Sequence, residues 1–181
     1  MQENSSVLTT RNFNLRNLDM LDKENVFALF TDKCVMEFNE GKILKNLKEA
    51  ENFIRYQKTQ PTCFKNLNWA VTLKKTREFI GLAGFRNWDQ SSFQAEIGAA
   101  FFSRYMNKGY GSELIDSLVA FGFNNMGLNR IIARIRPENK AAIQVVNNYD
   151  FQLEGVLRQS HFQNGNFNDV LLYSLLRDDI A

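Results

Sequence analysis

The chain has 181 residues, 44% of them hydrophobic, with two prolines, ten glycines and no low-complexity tract, which excludes a disordered or linker-dominated protein and fits one domain over residues 1–181. A formal charge of +2 supplies no basic face for nucleic acid, and two cysteines (Cys34, Cys63) with one histidine (His161) cannot build an ordinary Cys/His zinc site, so neither nucleic acid nor metal is expected. The opening MQENSS lacks the regions of a signal peptide and no uncharged apolar run nears the ~20 residues of a membrane span, so the expectation is a cytoplasmic protein, free of the membrane, with reduced thiols.

Residues 11–18, RNFNLRNL, alternate Phe13 and Leu15 with polar neighbours and predict a first strand. Asp19 can cap a following helix whose buried stripe is Val26, Phe27, Leu29 and Phe30. A second helix is predicted after Asn46, with Glu49 completing a capping box and Leu47, Ala50, Phe53 and Ile54 at helical spacing; Pro61 closes it. The segment between them, DKCVMEFNEGK, reads as irregular and as part of a substrate-facing wall. Its charge is mixed, Glu37 and Glu40 being followed by Lys42 and Lys45. Residues 69–73 and 79–88 form a predicted hairpin around the charged turn KKTRE, and 93–102 a further strand whose second half, AAFF, is apolar on both faces as in a central strand. A long helix, a short buried strand at 131–135 and a shorter helix within PENKAAIQVVNNYDF follow. Residues 151–162 and 167–176 then form a hairpin around Asn164-Gly165. The element order is βααβββαβαββ.

Residues 93–126 organise the rest. They run from the strand FQAEIGAAFF through the turn SRYMNKGYG to the helix SELIDSLVAFGFNNM. The first turn of a helix has backbone N–H groups without intrahelical partners and a partial positive charge, so an anion can sit there. Gly109 and Gly111 permit positive φ and close approach of a phosphate, and Arg104 and Lys108 bring cations to the same rim.

The runs GYGSEL, FGFNNMGLNRI, RPENKAAIQVVNNYDF and EGVLR…FQNGNFNDVLLYSLL, in that order, resemble the GNAT superfamily of N-acetyltransferases. Within it they resemble the branch that acetylates ribosomal-protein N-termini. TTRNFNLRNL resembles that branch's opening strand, and FIGLAGF…AEIGAAFF its central pair. The resemblance implies an α/β (α+β) fold: a mixed, mostly antiparallel sheet of about seven strands, splayed between the fourth and fifth and flanked by about four helices. It implies transfer of acetyl from acetyl-CoA to a primary amine without a covalent enzyme intermediate.

The family's pyrophosphate loop corresponds to residues 106–111. Met106 stands where a Gln or Arg is usual, and the contacts implied are the amides of Asn107, Lys108, Gly109, Tyr110 and Gly111, with the Ser112 hydroxyl. Ala99, Ala100, Phe101 and Phe102 would pair with the pantetheine arm, an N–H near Phe101 polarising the thioester carbonyl. Asn139 corresponds to the family's cofactor-contacting Asn, and it can equally cap its helix. His161 stands at the branch's carboxylate position before the penultimate strand's aromatic residue, and an imidazole accepts a proton near neutral pH. Glu96 on the central strand can relay a proton through water, or face solvent on an alternating strand. Ala142 replaces the branch's Ser and Val146 occupies the superfamily's usual tyrosine position, with Tyr149 nearby, so the acid for the leaving thiolate is unassigned. Asp150 replaces a usual Gly, and Asp169 reads as a fold residue.

The first acceptor expected is an N-terminal α-amine of a ribosomal or other protein. A polyamine, an amino sugar or another small amine is the alternative within the same chemistry, and a monomer or a homodimer fits equally. The alternative class is a binding module, either an acyl-CoA binder without turnover or a dinucleotide binder. Against the latter, GYGSEL lacks a third Gly and RIIARIR ends in Arg where an acidic residue is needed.

Overall fold

The computed structural model describes residues 6–39, 43–59, 65–106, 108–163 and 165–180. Asn107, Pro61, Cys63, Asn164, Glu40 and Lys42, named above, lie outside them. Strand β1 is Ser6–Thr9 and β2 is Phe13–Asn17, with Phe13 and Leu15 fully buried as their alternation predicts. Asp19 caps a single 3-10 turn, Met20–Asp22, through a reciprocal box with Asp22, and α1 (Lys23–Leu29) continues from it. Arg16 donates to both oxygens of buried Asp22, at 2.6 and 2.7 Å, and fixes this turn to β2. Helix α2 (Lys33–Phe38) and α3 (Leu47–Thr59) follow, then β3 (Lys65–Leu73), β4 (Phe79–Asp89), β5 (Gln94–Phe101), α4 (Tyr110–Asn124), β6 (Arg130–Ile135), α5 (Lys140–Asn147), β7 (Gln152–Gln163) and β8 (Asn166–Leu176).

The described residues thus hold eight strands and five α-helices, where the sequence leads one to expect about seven and four. The extra strand, β1, has little local signal and exists through antiparallel pairing with β2. The extra helix, α2, falls in the stretch read as irregular. Asp32 caps it, accepting from Cys34 N and Val35 N, and Val35 and Met36 are buried. The Asn46 capping box is half formed: the Asn46 side chain accepts from Glu49 N, but the Glu49 carboxylate takes Lys45 N–H instead.

All eight strands lie in one sheet, ordered β1-β2-β3-β4-β5-β6-β8-β7. Every neighbouring pair is antiparallel except β5–β6. One face is covered by α4 and α5 through Leu114, Ile115, Leu118 and Val146, packed on Phe13, Phe85, Ile97 and Ile131. The other is covered by α1–α3 through Val26, Leu29, Val35, Ala50 and Ile54, packed on Ala70, Leu82 and Phe102. Large apolar side chains thus leave water on both faces of the strands from β2 to β5, the main stabilising term of such a layered core.

Candidate active site

The parallel strands β5 and β6 pair only at Gln94↔Arg130, Ala95↔Ile131 and Glu96↔Ile132. Beyond Glu96 they part, although β5 runs on to Phe101 and β6 to Ile135. The splay falls between the two strands expected to part. Backbone polar groups alternate direction along a strand. The Phe93 carbonyl accepts from Asn129 N on the β6 side, whereas Phe102 N donates to Ile80 O on the β4 side. Ile97, Ala99 and Phe101 therefore turn their N–H and C=O groups toward the gap. Ala100 and Phe102 turn theirs toward β4, so of the four residues 99–102 only Ala99 and Phe101 can offer main chain to a ligand in the opening.

At the end of β5 the chain makes a 3-10 turn, Ser103–Tyr105, and reaches Gly109, the N-cap of α4, with φ 75°. A left-handed residue reverses the chain sharply, and glycine takes that conformation without penalty. No side chain caps α4, and a Cβ placed on Gly109 would meet nothing within 4 Å. The first-turn amides of Tyr110, Gly111 and Ser112 belong to this uncapped end. Gly111 is already helical, so its expected positive φ is not found; α4 begins two residues earlier than the sequence suggests, and a Cβ there would lie 3.4 Å from Val145 of α5. The Tyr110 ring packs edge-on against Phe13 at 4.9 Å and belongs to the core.

Two side chains from opposite flanks hold this helix end. Glu113 accepts from Thr10 Oγ1 at 2.5 Å and from Asn12 N and Nδ2 at 2.6 Å each. Tyr149 donates its hydroxyl proton to Ser112 O at 2.8 Å, and burial, followed by the charge of Asp116, raises the phenol above its ordinary range. On the rim, Lys108 Nζ lies 5.1 Å from the Tyr105 ring centre, and Arg104 pairs with Glu78 at 3.1 Å. The Glu78 carboxylate is held below its usual range by Tyr105 first and Arg104 next. Met106 is exposed beside them.

Asn139 is the N-cap of α5 and accepts from Ala142 N at 3.1 Å, so capping is realised. Asp150 has φ 57°, the left-handed conformation anticipated for a position where Gly is usual. Asp169 accepts Gln159 N–H at 2.8 Å, which secures a bulge where β7 carries extra residues against β8. A concavity of about 790 Å³ along that bulge is lined by β7 and Asp169 alone.

Glu96 does not face solvent. It is 5% exposed, with one oxygen 2.5 Å from Arg86 Nη2 and the other 3.2 Å from Asn87 Nδ2. The reason lies across the sheet, where Arg86 is its register partner on β4. Glu96 lines a cavity of about 270 Å³ with Asn87, Asp89, Gln94, Ile132, Arg134 and Leu172. Asp89 has its pKa lowered to about 2, by the Ser91 hydroxyl first and Ser92 next, and is therefore an anion at neutral pH. His161 lies on β7 opposite Asn168, and its Nε2 is buried without a hydrogen-bond partner among the described residues. Strands β6 and β8 separate His161 from β5, so three spacings of ~4.8 Å lie between it and the strand of Glu96. The two side chains form no dyad. No local sequence signal marks Arg86 or the Tyr149–Ser112 link, because only cross-strand register and helix packing bring their partners together.

A sheet whose one parallel pair is parted, with a bare helix start behind one of the two strands, defines an acyltransferase architecture. The chain belongs to the GNAT acetyltransferase family: residues 12–152 match its acetyltransferase (GNAT) domain. The uncharacterized N-acetyltransferase YoaA of Bacillus subtilis (strain 168) is 32% identical over 174 residues, 94% of this chain and 97% of that protein. The ribosomal-protein-serine acetyltransferase of Escherichia coli (strain K12) is 30% identical over 104 residues, 58% of each protein. The spermidine N-acetyltransferase of Vibrio cholerae, solved in complex with CoA and spermine, matches at TM-score 0.82 and 20% identity over 92% of this chain and 96% of that one, a likeness of fold.

Proposed function

We propose that residues 1–181 act as one cytoplasmic catalytic unit that moves acetyl from acetyl-CoA directly to a primary amine, the α-amine at the N-terminus of a ribosomal or other protein. The observation that carries this reading is the parting of β5 and β6 beside the uncapped N-terminus of α4. The donor set suits a diphosphate: Gly109 leaves open space, and the first-turn amides of Tyr110, Gly111 and Ser112 supply N–H groups and dipole. Lys108 adds a cation at the rim, Met106 flanks the turn, and Asn139 opens the neighbouring helix. Asn107, in the same loop, is assigned by sequence correspondence. Ala99 and Phe101 offer main chain to an amide-bearing arm lying in the gap, and Phe101 N–H is the donor for a thioester carbonyl. Ala100 and Phe102 contribute the wall. When bound, acetyl-CoA supplies the activated acyl group.

The amine must be neutral to attack. An α-amine has pKa ~7.7–8.0 against ~10.4 for lysine, so it needs roughly 3.4 kcal/mol less help. His161 serves as the base through intervening water, because β6 and β8 stand between its strand and β5; its Nε2 has no competing partner among the described residues. Glu96, with both oxygens engaged, acts through water at most. The leaving thiolate needs little assistance, since a thiol near pKa ~8.5 is protonated by solvent at neutral pH. This accommodates Ala142 and Val146 at the acid positions. Asp89 and Glu96 share their cavity with Arg134, and Glu96 is neutralised by Arg86. Mixed charge of this kind suits an acceptor with one amine better than a polycation.

The test is release of free thiol from acetyl-CoA with peptides bearing free N-terminal Ala or Ser, with spermidine and with glucosamine. The peptides should exceed the others at least tenfold in kcat/KM. Preference for spermidine would make a polyamine the acceptor, and CoA binding without thiol release from any amine would make the chain a binding module. His161→Ala should slow peptide acetylation roughly a hundredfold at pH 7, the lower end of the span of general-base effects. The deficit should narrow as pH rises and the amine loses its proton unaided; a constant deficit would remove His161 from the base role.

A further inference from the structure

Helix α2 is fastened at both ends, and its two anchorages stand on opposite lips of the parted strands. At its start, Asp32 Oδ1 caps the helix, while Oδ2 accepts from Ser103 Oγ at 2.9 Å and Ser103 N at 3.3 Å. Ser103 directly follows Phe101–Phe102 at the end of β5. At its other end, the carbonyls left without intrahelical partners are taken by two side chains. Arg136 Nη1 donates to Glu37 O at 3.1 Å, and Gln163 Nε2 donates to Met36 O at 2.8 Å and Asn39 O at 3.3 Å. The two side chains are themselves joined, Arg136 Nη1 to Gln163 Oε1 at 2.8 Å, and Arg136 Nη2 donates to Asn168 Oδ1 at 3.1 Å. Arg136 directly follows Ile135 at the end of β6, and Gln163 ends β7.

Strands β5 and β6 are parallel, so Ser103 and Arg136 mark the same, open end of the gap. A helix tied to both therefore crosses the mouth. It does so on the face covered by α1 and α3, opposite α4, because Val35 packs in that layer. We propose that α2 is a strap across the mouth of the parted strands, and that Arg136 and Gln163 are positioning residues that hold its Met36–Asn39 end as the wall against which the acceptor amine is aligned. The proposal rests on the acetyltransferase reading above. It separates duties: α4 and β5 hold the acyl donor from one face, and the strap orients the acceptor from the other. Arg136 is suited to the task because its planar fork reaches three oxygens at once, on α2, β7 and β8, which a lysine cannot do.

The test uses the full chain and three variants: Gln163→Glu, which keeps an acceptor for Arg136 but loses both donors to α2; Ser103→Ala, which removes the hydroxyl half of the other anchor and leaves the Ser103 N–H bond and the Asp32 cap; and Arg136→Lys. Hydrogen exchange over residues 33–39 needs no substrate. It should quicken at least fivefold in Gln163→Glu and Arg136→Lys, and less in Ser103→Ala, with α4 unchanged. The CoA dissociation constant from calorimetry should stay within twofold. With a peptide bearing N-terminal alanine, KM for the peptide should rise at least fivefold in Gln163→Glu while kcat stays within twofold. Unchanged exchange in 33–39, a loosened α2 without a change in peptide KM, or a parallel rise in peptide KM and CoA dissociation constant would each overturn the strap. A parent chain that acetylates no amine, with the exchange pattern intact, would instead bring down the acceptor reading and the positioning role resting on it.

Discussion

Two helices follow the two parallel strands, and their first turns are finished in opposite ways. After β6, the chain enters α5 through Asn139, whose side chain accepts Ala142 N–H, so a side chain caps the helix start. After β5, it enters α4 through left-handed Gly109, with no side-chain cap and open space where a Cβ would be. Topologically the two are equivalent, each a helix following one of the parted strands. Of the two, α4 is the one whose first turn has no side-chain cap. Local chemistry at the first turn, rather than the fold, thus decides which helix can take an anion.

The largest effect should come from closing that difference. Gly109→Val puts a branched side chain at a left-handed residue, which costs ~1–2 kcal/mol, and crowds the open end. CoA affinity by calorimetry is expected to fall by roughly two orders of magnitude. Gly109→Asn separates the two causes, because Asn tolerates positive φ. It should keep its thermal midpoint and lose roughly tenfold in affinity through crowding alone. Unchanged affinity in a folded Gly109→Val protein would place the diphosphate elsewhere.

That end of the molecule was legible in the sequence because its parts are contiguous. An apolar run, a turn with two glycines and a helical pattern lie within residues 93–126, and each carries its own local signal. The splay was legible by resemblance, and the register bears it out with pairing confined to residues 94–96 of β5. The acceptor side was not, because it is assembled from side chains far apart in sequence. Gln163 bonds to Met36 over a sequence separation of 127 residues, and Arg136 to Glu37 over 99. Nothing near Arg136 announces those partners. Helix α2 did leave a mark, an Asp three residues before buried Val35, but six residues interrupted by polar groups carry too little periodicity to stand out. Glu96 misled for a related reason. Alternation along β5 fits a solvent-facing carboxylate, and only Arg86 across the ladder allows it to be buried.

The smaller tests address α5 and then the support of α4. Asn139→Ala removes the α5 cap and should cost ~1 kcal/mol. For a chain of this size that is roughly 2–4 °C in Tm. A cap with no other duty would leave CoA affinity untouched, whereas a three- to tenfold loss would show that Asn139 also touches the acyl donor.

The smallest effect expected is the most selective in pH. Glu113 fastens the first turn of α4 to the β1–β2 turn through Thr10 and Asn12. Burial pushes its carboxyl upward, but hydrogen bonds from Thr10 and Asn12 outweigh burial, and the folded group titrates below the ordinary range. A depressed carboxyl stabilises the fold above its unfolded value, ~4.3, and that contribution disappears as pH falls through the folded value. Glu113→Gln should therefore lower the urea midpoint by a constant amount between pH 8 and pH 5, worth ~0.5–1 kcal/mol for a partly exposed group. The gap between parent and variant should then close below about pH 4, as the parent's own carboxyl gains its proton. The Asn139→Ala deficit should show no such closure, because an amide cap does not titrate. If both deficits held steady down to pH 3, the Glu113 carboxylate would not be the tie that braces α4. The contrast between a helix end held by charge and one held by a neutral cap would then fail.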